Sequence, residues 1–283
     1  MIDAAAQAGV SLWLVNSQVP GKTFPRARRT RLVLGAHAAA RATRVFAKSD
    51  RMADRFRRLG APLVEVMGET RFDIPPPAAH VAEGQALKAR LGSRPVHTFA
   101  SVVAGEEETY LAAAQAANDV LTIWVPRAPE LFDATFARLQ AAGLRVARRS
   151  DVFAPDLSNA PDLSETDVLL GDSFGEMFFY IAAADVVSVG GGFVEKGAHN
   201  VIEPLALGKP VVTGPHIWTI EFPGVEASEA GVLRLCGLPG ALPAALAEAR
   251  ATGGDKACAF HAEYAGASDR LVSAVAQHLE ATP

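Results

Sequence analysis

The chain has 283 residues, 49% of them apolar, with 27 Lys and Arg against 31 Asp and Glu for a formal net charge of −4. That length accommodates about two domains with real cores, and the composition excludes intrinsic disorder and a nucleic-acid-coating protein. Cys236 and Cys258 make no disulfide scaffold and lack partners at zinc-ligand spacing, so a reducing cytoplasm is the expected compartment.

Short β-branched runs alternate with Ala-rich amphipathic segments, which predicts an α/β chain of stacked βα units with parallel sheets. Residues 1–9 read as the second half of a helix with Gly9 as its C-cap, feeding a strand at 11–16. Further strands are expected at 44–47, 63–67, 96–100, 121–125, 144–147, 167–170, 185–189 and 210–213. Helices are expected at 25–42, 49–59, 80–91, 106–118, 129–142, 173–183, 200–207, 225–231, 240–251 and 256–280. Ile74-Pro75-Pro76-Pro77 interrupts any helix or central strand and divides a first domain, 1–77, from a second, 78–283. The first holds about three βα units, an incomplete sheet, which points to a longer two-domain protein. No run of about 18 apolar residues and no signal-peptide order is present.

Charge divides along the same line. Residues 1–73 hold 13 Lys and Arg against 6 Asp and Glu, a balance of +7, and residues 74–283 hold 14 against 25, a balance of −11. Lys22, Arg26, Arg28, Arg29 and Arg31 form one basic cluster, and Arg41, Arg44, Arg51, Arg55, Arg57 and Arg58 another. Both suit phosphates or an anionic membrane face, or a solvated helix surface.

The densest polar constellation runs from Asp167 to Pro215. A strand ends at Gly171-Asp172, and Ser173 stands where it can cap a helix and leave amides free for an anion. Val186–Val189 run into Gly190-Gly191-Gly192, which permit close backbone approach to a ligand, although the dinucleotide fingerprint is missing. His199 and Asn200 stand at a helix start and Glu203 one turn in, where amides can meet phosphate and a carboxylate can accept ribose hydroxyls. Gly208–His216 closes the unit. Four such pieces at the carboxyl ends of successive strands mark the edge where open α/β sheets bind ligands.

These residues resemble the 3-deoxy-D-manno-octulosonic acid (Kdo) transferases. The likeness rests on Gly171–Met177, on Gly190-Gly191-Gly192 followed by Gly197–Pro204, and on Leu207–Val211 through Gly214-Pro215-His216. Val125–Glu130, Ala100-Ser101 with Gly105-Glu106-Glu107, Gly68–Asp73 and Leu14-Val15-Asn16 follow in family order. The resemblance implies two Rossmann-like domains of the glycosyltransferase B type, the N-terminal one incomplete here. It also implies an inverting, metal-independent transfer of Kdo from CMP-Kdo to the lipid A precursor at the cytoplasmic side of the inner membrane, with no cofactor. Carried over by motif, Pro126, Arg127, Gly175, Glu176, Met177, Asn200, Val201, Ile202 and Glu203 contact CMP, with Gly191, Gly192 and His199 as further candidates. Arg71, at a position where the family usually has lysine, becomes the transition-state cation, with an interdomain salt bridge as the plain alternative. Arg26, Arg28 and Arg29 face the acceptor and the membrane.

Departures from the family pattern accompany the match. The family's general base, a glutamate near the start of its N-terminal domain, and its membrane anchor are expected to lie in a segment missing from this chain. Val102-Val103 and Ala128 stand where the family tends to have Thr-His and His. Glu106, Glu107 and Glu108 read as first-turn dipole partners rather than a substitute base. The sequence thus leaves open a Kdo transferase that lost its first segment, a CMP-binding remnant without catalysis, and a glycosyltransferase using another donor.

Overall fold

The computed structural model describes residues 2–29, 34–159, 161–252 and 254–281. The chain forms two compact units: Met1–Ile74 with Ala262–Pro283, and Pro75–His261. The division at 77/78 therefore needs one correction, because the end of the chain belongs with its beginning. A hydrogen-bonded cap described below supplies the reason.

Unit 1 begins with α1 (Ile2–Gln7), β1 (Trp13–Ser17), α2 (Phe24–Arg29), α3 (Leu34–Arg41), β2 (Arg44–Ala47), α4 (Asp50–Arg58) and β3 (Val64–Val66). Of the helix expected over 25–42, residues 30–33 lie outside the described residues, and with them Arg31 of the first basic cluster. The strands pair in parallel in the order β1-β2-β3. Val45, Phe46 and Ala47 of the central strand are buried, while β1 is only half-buried along most of its length.

Unit 2 contains α5 (Ala78–Leu91), β4 (Val96–Val102), α6 (Glu107–Gln115), β5 (Leu121–Pro126), α7 (Phe132–Ala141), β6 (Val146–Arg148), α8 (Arg149–Val152) and β7 (Val168–Leu170). It continues with α9 (Met177–Ala183), β8 (Val186–Val189), α10 (Ile202–Ala206), β9 (Val211–Thr213), α11 (Glu221–Glu229), β10 (Leu233–Leu235) and α12 (Leu242–Ala251). The unit boundary falls inside α13 (Asp255–Tyr264), and α14 (Ala267–Ala281) completes unit 1. The sequence reading fused α13 and α14 into one helix over 256–280. They part at Gly266, whose φ of 88° no continuing helix adopts.

All seven strands of unit 2 pair in parallel, in the order β10-β9-β8-β4-β5-β7-β6. Alternation along β5 explains the two covered faces. Leu121, Ile123 and Val125 join Leu87, Leu169 and Phe179 in one core, and Trp124 joins Phe99, Tyr110, Leu242 and Leu246 in the other. The chain leaves β4 toward β5, β7 and β6, then returns to place β8 on the opposite side of β4. That reversal opens a crevice at the carboxyl ends of β4 and β8, where sheets of this type bind ligands. β10 escaped the sequence reading because it is three residues long with only Leu233 buried.

Candidate functional site

The loops after β4, β5, β7, β8 and β9 leave one edge of the unit 2 sheet, and they carry the motifs read from the sequence. At the reversal, Ser101 takes φ 59° and the β4–β5 register slips between Ala100 and Val102, while Arg127 N donates to Val102 O at 2.8 Å. Pro126 ends β5 as a buried residue and Arg127 is exposed just beyond it.

The glycine turn serves packing first. A Cβ on Gly190 would lie 2.3 Å from Ser101 O, and one on Gly192 2.5 Å from Gly214 N, so the close approach these residues permit is to neighbouring backbone. Gly191 adopts φ 90°, in the left-handed region that favours glycine. Its amide donates to Glu106 Oε2 at 2.7 Å and that of Phe193 to Glu106 Oε1 at 2.8 Å, with Val103 N a third donor at 3.3 Å. Glu106 is fully buried, and burial pushes its carboxyl up despite these bonds. It is neither a base nor a dipole partner of α6 but the fastener of the turn. Sequence reading missed this because its partners lie 85 and 87 residues away.

In the motif after β7, the expected helix at 173 starts only at Met177, and Ser173 is no cap. Its hydroxyl instead donates to Glu176 and hydrogen-bonds Tyr180 Oη at 2.7 Å. Glu176 is gripped by Arg149, with Nε donating to Oε2 at 2.7 Å and Nη2 to Oε1 at 2.5 Å. Both side chains are largely buried, a desolvated pair that fixes the turn carrying exposed Gly175 at φ 77°. Arg149 gave no sequence signal; it follows an edge strand like any surface arginine.

In the third motif, α10 starts at Ile202, two residues later than expected. Ile202 N donates to Asn200 Oδ1 at 3.0 Å, so that amide is spent inside the protein. Val201 and Ile202 are buried, whereas His199, Asn200 and Glu203 are half-buried at the edge. Burial holds the His199 imidazole below its ordinary range, and the charges of Arg127 and Lys196 lower it further. The structure thus brings Arg127 and the unforeseen Lys196 each within electrostatic reach of His199.

Arg71 belongs to unit 1, in the turn after β3. Its Nη2 donates to Glu69 Oε2 at 3.2 Å, and Glu69 also binds Lys48 and accepts from Asn16 Nδ2 at 3.0 Å. Glu69 and Lys48 are buried, and the Arg71 side chain is 37% exposed. Burial alone would raise the Glu69 carboxyl; hydrogen bonds from Arg71, Lys48 and Asn16 outweigh it and hold the group at about 2. Two cations share the one buried anion. The partner of Arg71 therefore lies within its own unit. Arg26, Arg28 and Arg29 are exposed on α2. Among the described residues no helix is long and apolar enough to cross a membrane.

Comparison with known proteins points to one family. Residues 1–74 fit the family model described as 3-deoxy-D-manno-octulosonic-acid transferase (kdotransferase). The 3-deoxy-D-manno-octulosonic acid transferase of Bordetella pertussis is 37% identical over 238 residues, covering 82% of this chain and 54% of that protein. Its Haemophilus influenzae namesake is 36% identical over 136 residues, covering 47% of this chain and 30% of that protein. The chain thus spans about half the length, or less, of these curated relatives. Among solved structures, the C-terminal CMP-Kdo binding domain of WaaA from Acinetobacter baumannii aligns with TM-score 0.55 and 29% identity, over 66% of this chain and 97% of that one. Anabaena HepE in complex with UDP aligns with TM-score 0.59 over 99% of this chain and 75% of that one; at 17% identity it shows the shared fold alone. The architecture is that of the glycosyltransferase B enzymes, mixed α/β with parallel sheets. From the family model over its first 74 residues and the transferase relatives that match most of its length, the chain belongs to the 3-deoxy-D-manno-octulosonic-acid transferase family.

Proposed function

We propose that this chain takes part in the transfer of Kdo from CMP-Kdo to a lipid A precursor, with unit 2 binding the donor. The observation that carries this reading is the convergence of the Pro126-Arg127, Gly175–Met177 and Asn200–Glu203 loops on the sheet edge that holds the β4–β8 reversal. Similarity of the same region to a CMP-Kdo binding domain supports CMP over other nucleotides.

The chemistry follows from the bond that breaks. The acceptor hydroxyl attacks the anomeric carbon from the face opposite CMP and gives up its proton to a base, while the carbon–oxygen bond to CMP cleaves with both electrons leaving on the phosphate; one such direct displacement inverts the centre. Cations aimed at the phosphate lower the barrier because its charge grows in the transition state. Arg127 supplies one such charge, and Arg71, steadied by Glu69, is proposed as the other, without a metal ion or cofactor. Glu203 accepts the ribose hydroxyls. No residue of this sequence is assigned as general base: Glu69 is ion-paired and Glu106 is buried on backbone amides. Exposed Arg26, Arg28 and Arg29 are proposed to meet the phosphorylated lipid and the anionic cytoplasmic face of the inner membrane.

Calorimetric titration of the chain with CMP, and with UDP as control, tests the donor reading. CMP is expected to bind and UDP to bind more weakly; equal or reversed preference defeats it. Glu203→Ala is expected to lower CMP affinity at least tenfold with the circular dichroism spectrum unchanged, and unaltered affinity would sink the ribose assignment.

A further inference from the structure

A nucleotide phosphate at a glycine turn is ordinarily held by backbone amides. Here six of the amides between Gly190 and His199 already have partners inside the protein. Gly190 N donates to Ala100 O, Gly191 N and Phe193 N to Glu106, Gly197 N to Val194 O, Ala198 N to His216 O and His199 N to Gly190 O. The turn also has the buried Glu106 carboxyl directly behind it, occupied by the Gly191 and Phe193 amides. A phosphate at this edge meets few turn amides, so side-chain cations add to its binding.

Three side chains stand ready. Arg127 is fixed to β4 through its own backbone, by its amide on Val102 O. Lys196 lies exposed in the loop after β8 and reaches across to the same β4 loop, where Nζ donates to Ala104 O at 3.3 Å. That contact is long, and among the described residues it is the one hydrogen bond of the Lys196 ammonium, which leaves two of three protons for another acceptor. His199 is anchored by its amide to Gly190 O at the end of β8. Burial lowers its imidazole, and the charges of Arg127 and Lys196 each lower it further.

We propose that Lys196 is a phosphate-binding residue of the donor site, forming with Arg127 and His199 a side-chain anion subsite beside the glycine turn, most of whose amides are spent inside the protein. This rests on the donor reading above and deepens it. Lys196 is expected to contribute to binding the phosphate and nothing to binding the nucleoside. Its ammonium leaves Ala104 O, an acceptor that water can then satisfy at the surface.

The experiment is calorimetry on the full chain with CMP and with cytidine, for wild type, Lys196→Met and Lys196→Arg. Lys196→Met is expected to lose about tenfold in CMP affinity, the loss of one charged contact, with cytidine affinity unchanged, and Lys196→Arg to retain most of the CMP affinity. Unchanged CMP affinity in Lys196→Met overturns the proposal, as does an equal loss for CMP and cytidine, which would make Lys196 a support of the loop. A wild-type chain that binds neither probe defeats the donor reading itself, a distinct result. Acetylation of the wild-type chain gives a second test without any variant: CMP is expected to protect Lys196 at least threefold where cytidine does not, and equal labelling with both counts against the subsite.

Discussion

In unit 1 the loops at the carboxyl ends of the strands are tied by side chains, with Glu69 held among Lys48, Arg71 and Asn16; in unit 2 the corresponding tie runs from Glu106 to backbone amides. Both glutamates are fully buried, yet their carboxyls shift in opposite directions, Glu69 down to about 2 and Glu106 up. Burial opposes ionisation in each. Two full positive charges overcome it at Glu69, and three amide dipoles do not at Glu106. Unit 1 thereby ties its edge with full charges, while unit 2 ties its own with backbone dipoles and carries Arg127 and Lys196 on separate loops.

The largest expected effect breaks the unit 2 tie. Glu106→Ala removes the acceptor of three buried or half-buried amides and is expected to lower the stability of unit 2 by about 4 kcal/mol, at roughly 1–3 kcal/mol for each unsatisfied group with some relief from water. Glu106→Gln, which keeps one acceptor oxygen, recovers part of it. Urea unfolding followed through Trp124, in the unit 2 core, reads this loss, and hydrogen exchange in unit 1 is expected to stay unchanged. A small, uniform change across both units would show that the turn holds without its carboxylate.

The next effect lies in acid. The folded-state value of Glu69 is depressed from 4.5 to about 2, so its contribution is present above 4.5 and is lost as pH falls through that window. The shift corresponds to about 3 kcal/mol. Glu106 has the opposite sign: its folded value is raised, so the cost of its ionisation is relieved as pH falls through that raised value toward 4.5. Wild type should thus lose its stability advantage over Glu69→Gln between pH 4.5 and 2, measured by urea midpoints at each pH. A constant difference across that window would mean that the Lys48–Glu69 pair does not govern the unit 1 edge.

These ties mark the limit of what a single sequence discloses. The parallel α/β plan, most strands to within two residues and the motif loops follow from local pattern, because β-branched runs, glycine turns and proline breaks are local events. The fasteners are not local. Glu106 meets Gly191, Lys48 meets Glu69 and Arg149 meets Glu176 only once strands from distant stretches lie side by side. In sequence, Glu106 reads as one acid among three and Arg149 as one arginine among many. The glycines were visible, but their reason was not: the sequence reading expected ligand approach, and the backbone shows close packing between neighbouring loops.

The smallest effect sharpens the same contrast, at the helix that joins the end of the chain to its beginning. Asp73, the last residue of the Gly68–Asp73 motif, accepts hydrogen bonds from Gly266 N and Ser268 N, each at 2.6 Å, and so caps α14 from a point 193 residues earlier in sequence. Arg270 adds a second fastening, Nε donating to Met67 O at 2.7 Å. Burial works against the Asp73 carboxylate, but these amides outweigh it and hold the group below its ordinary value, as expected for an acid at the positive end of a helix. Asp73→Ala is expected to cost about 1 kcal/mol, seen as faster hydrogen exchange over 267–281 with α12 of unit 2 unaffected. Asp73→Asn, which keeps an acceptor but loses the charge, should fall between the two. If exchange in α14 does not change, the helix is held by packing of Ala267 and Ala274 against Phe46 and Met67, and the side-chain tie of unit 1 would be confined to its strand edge.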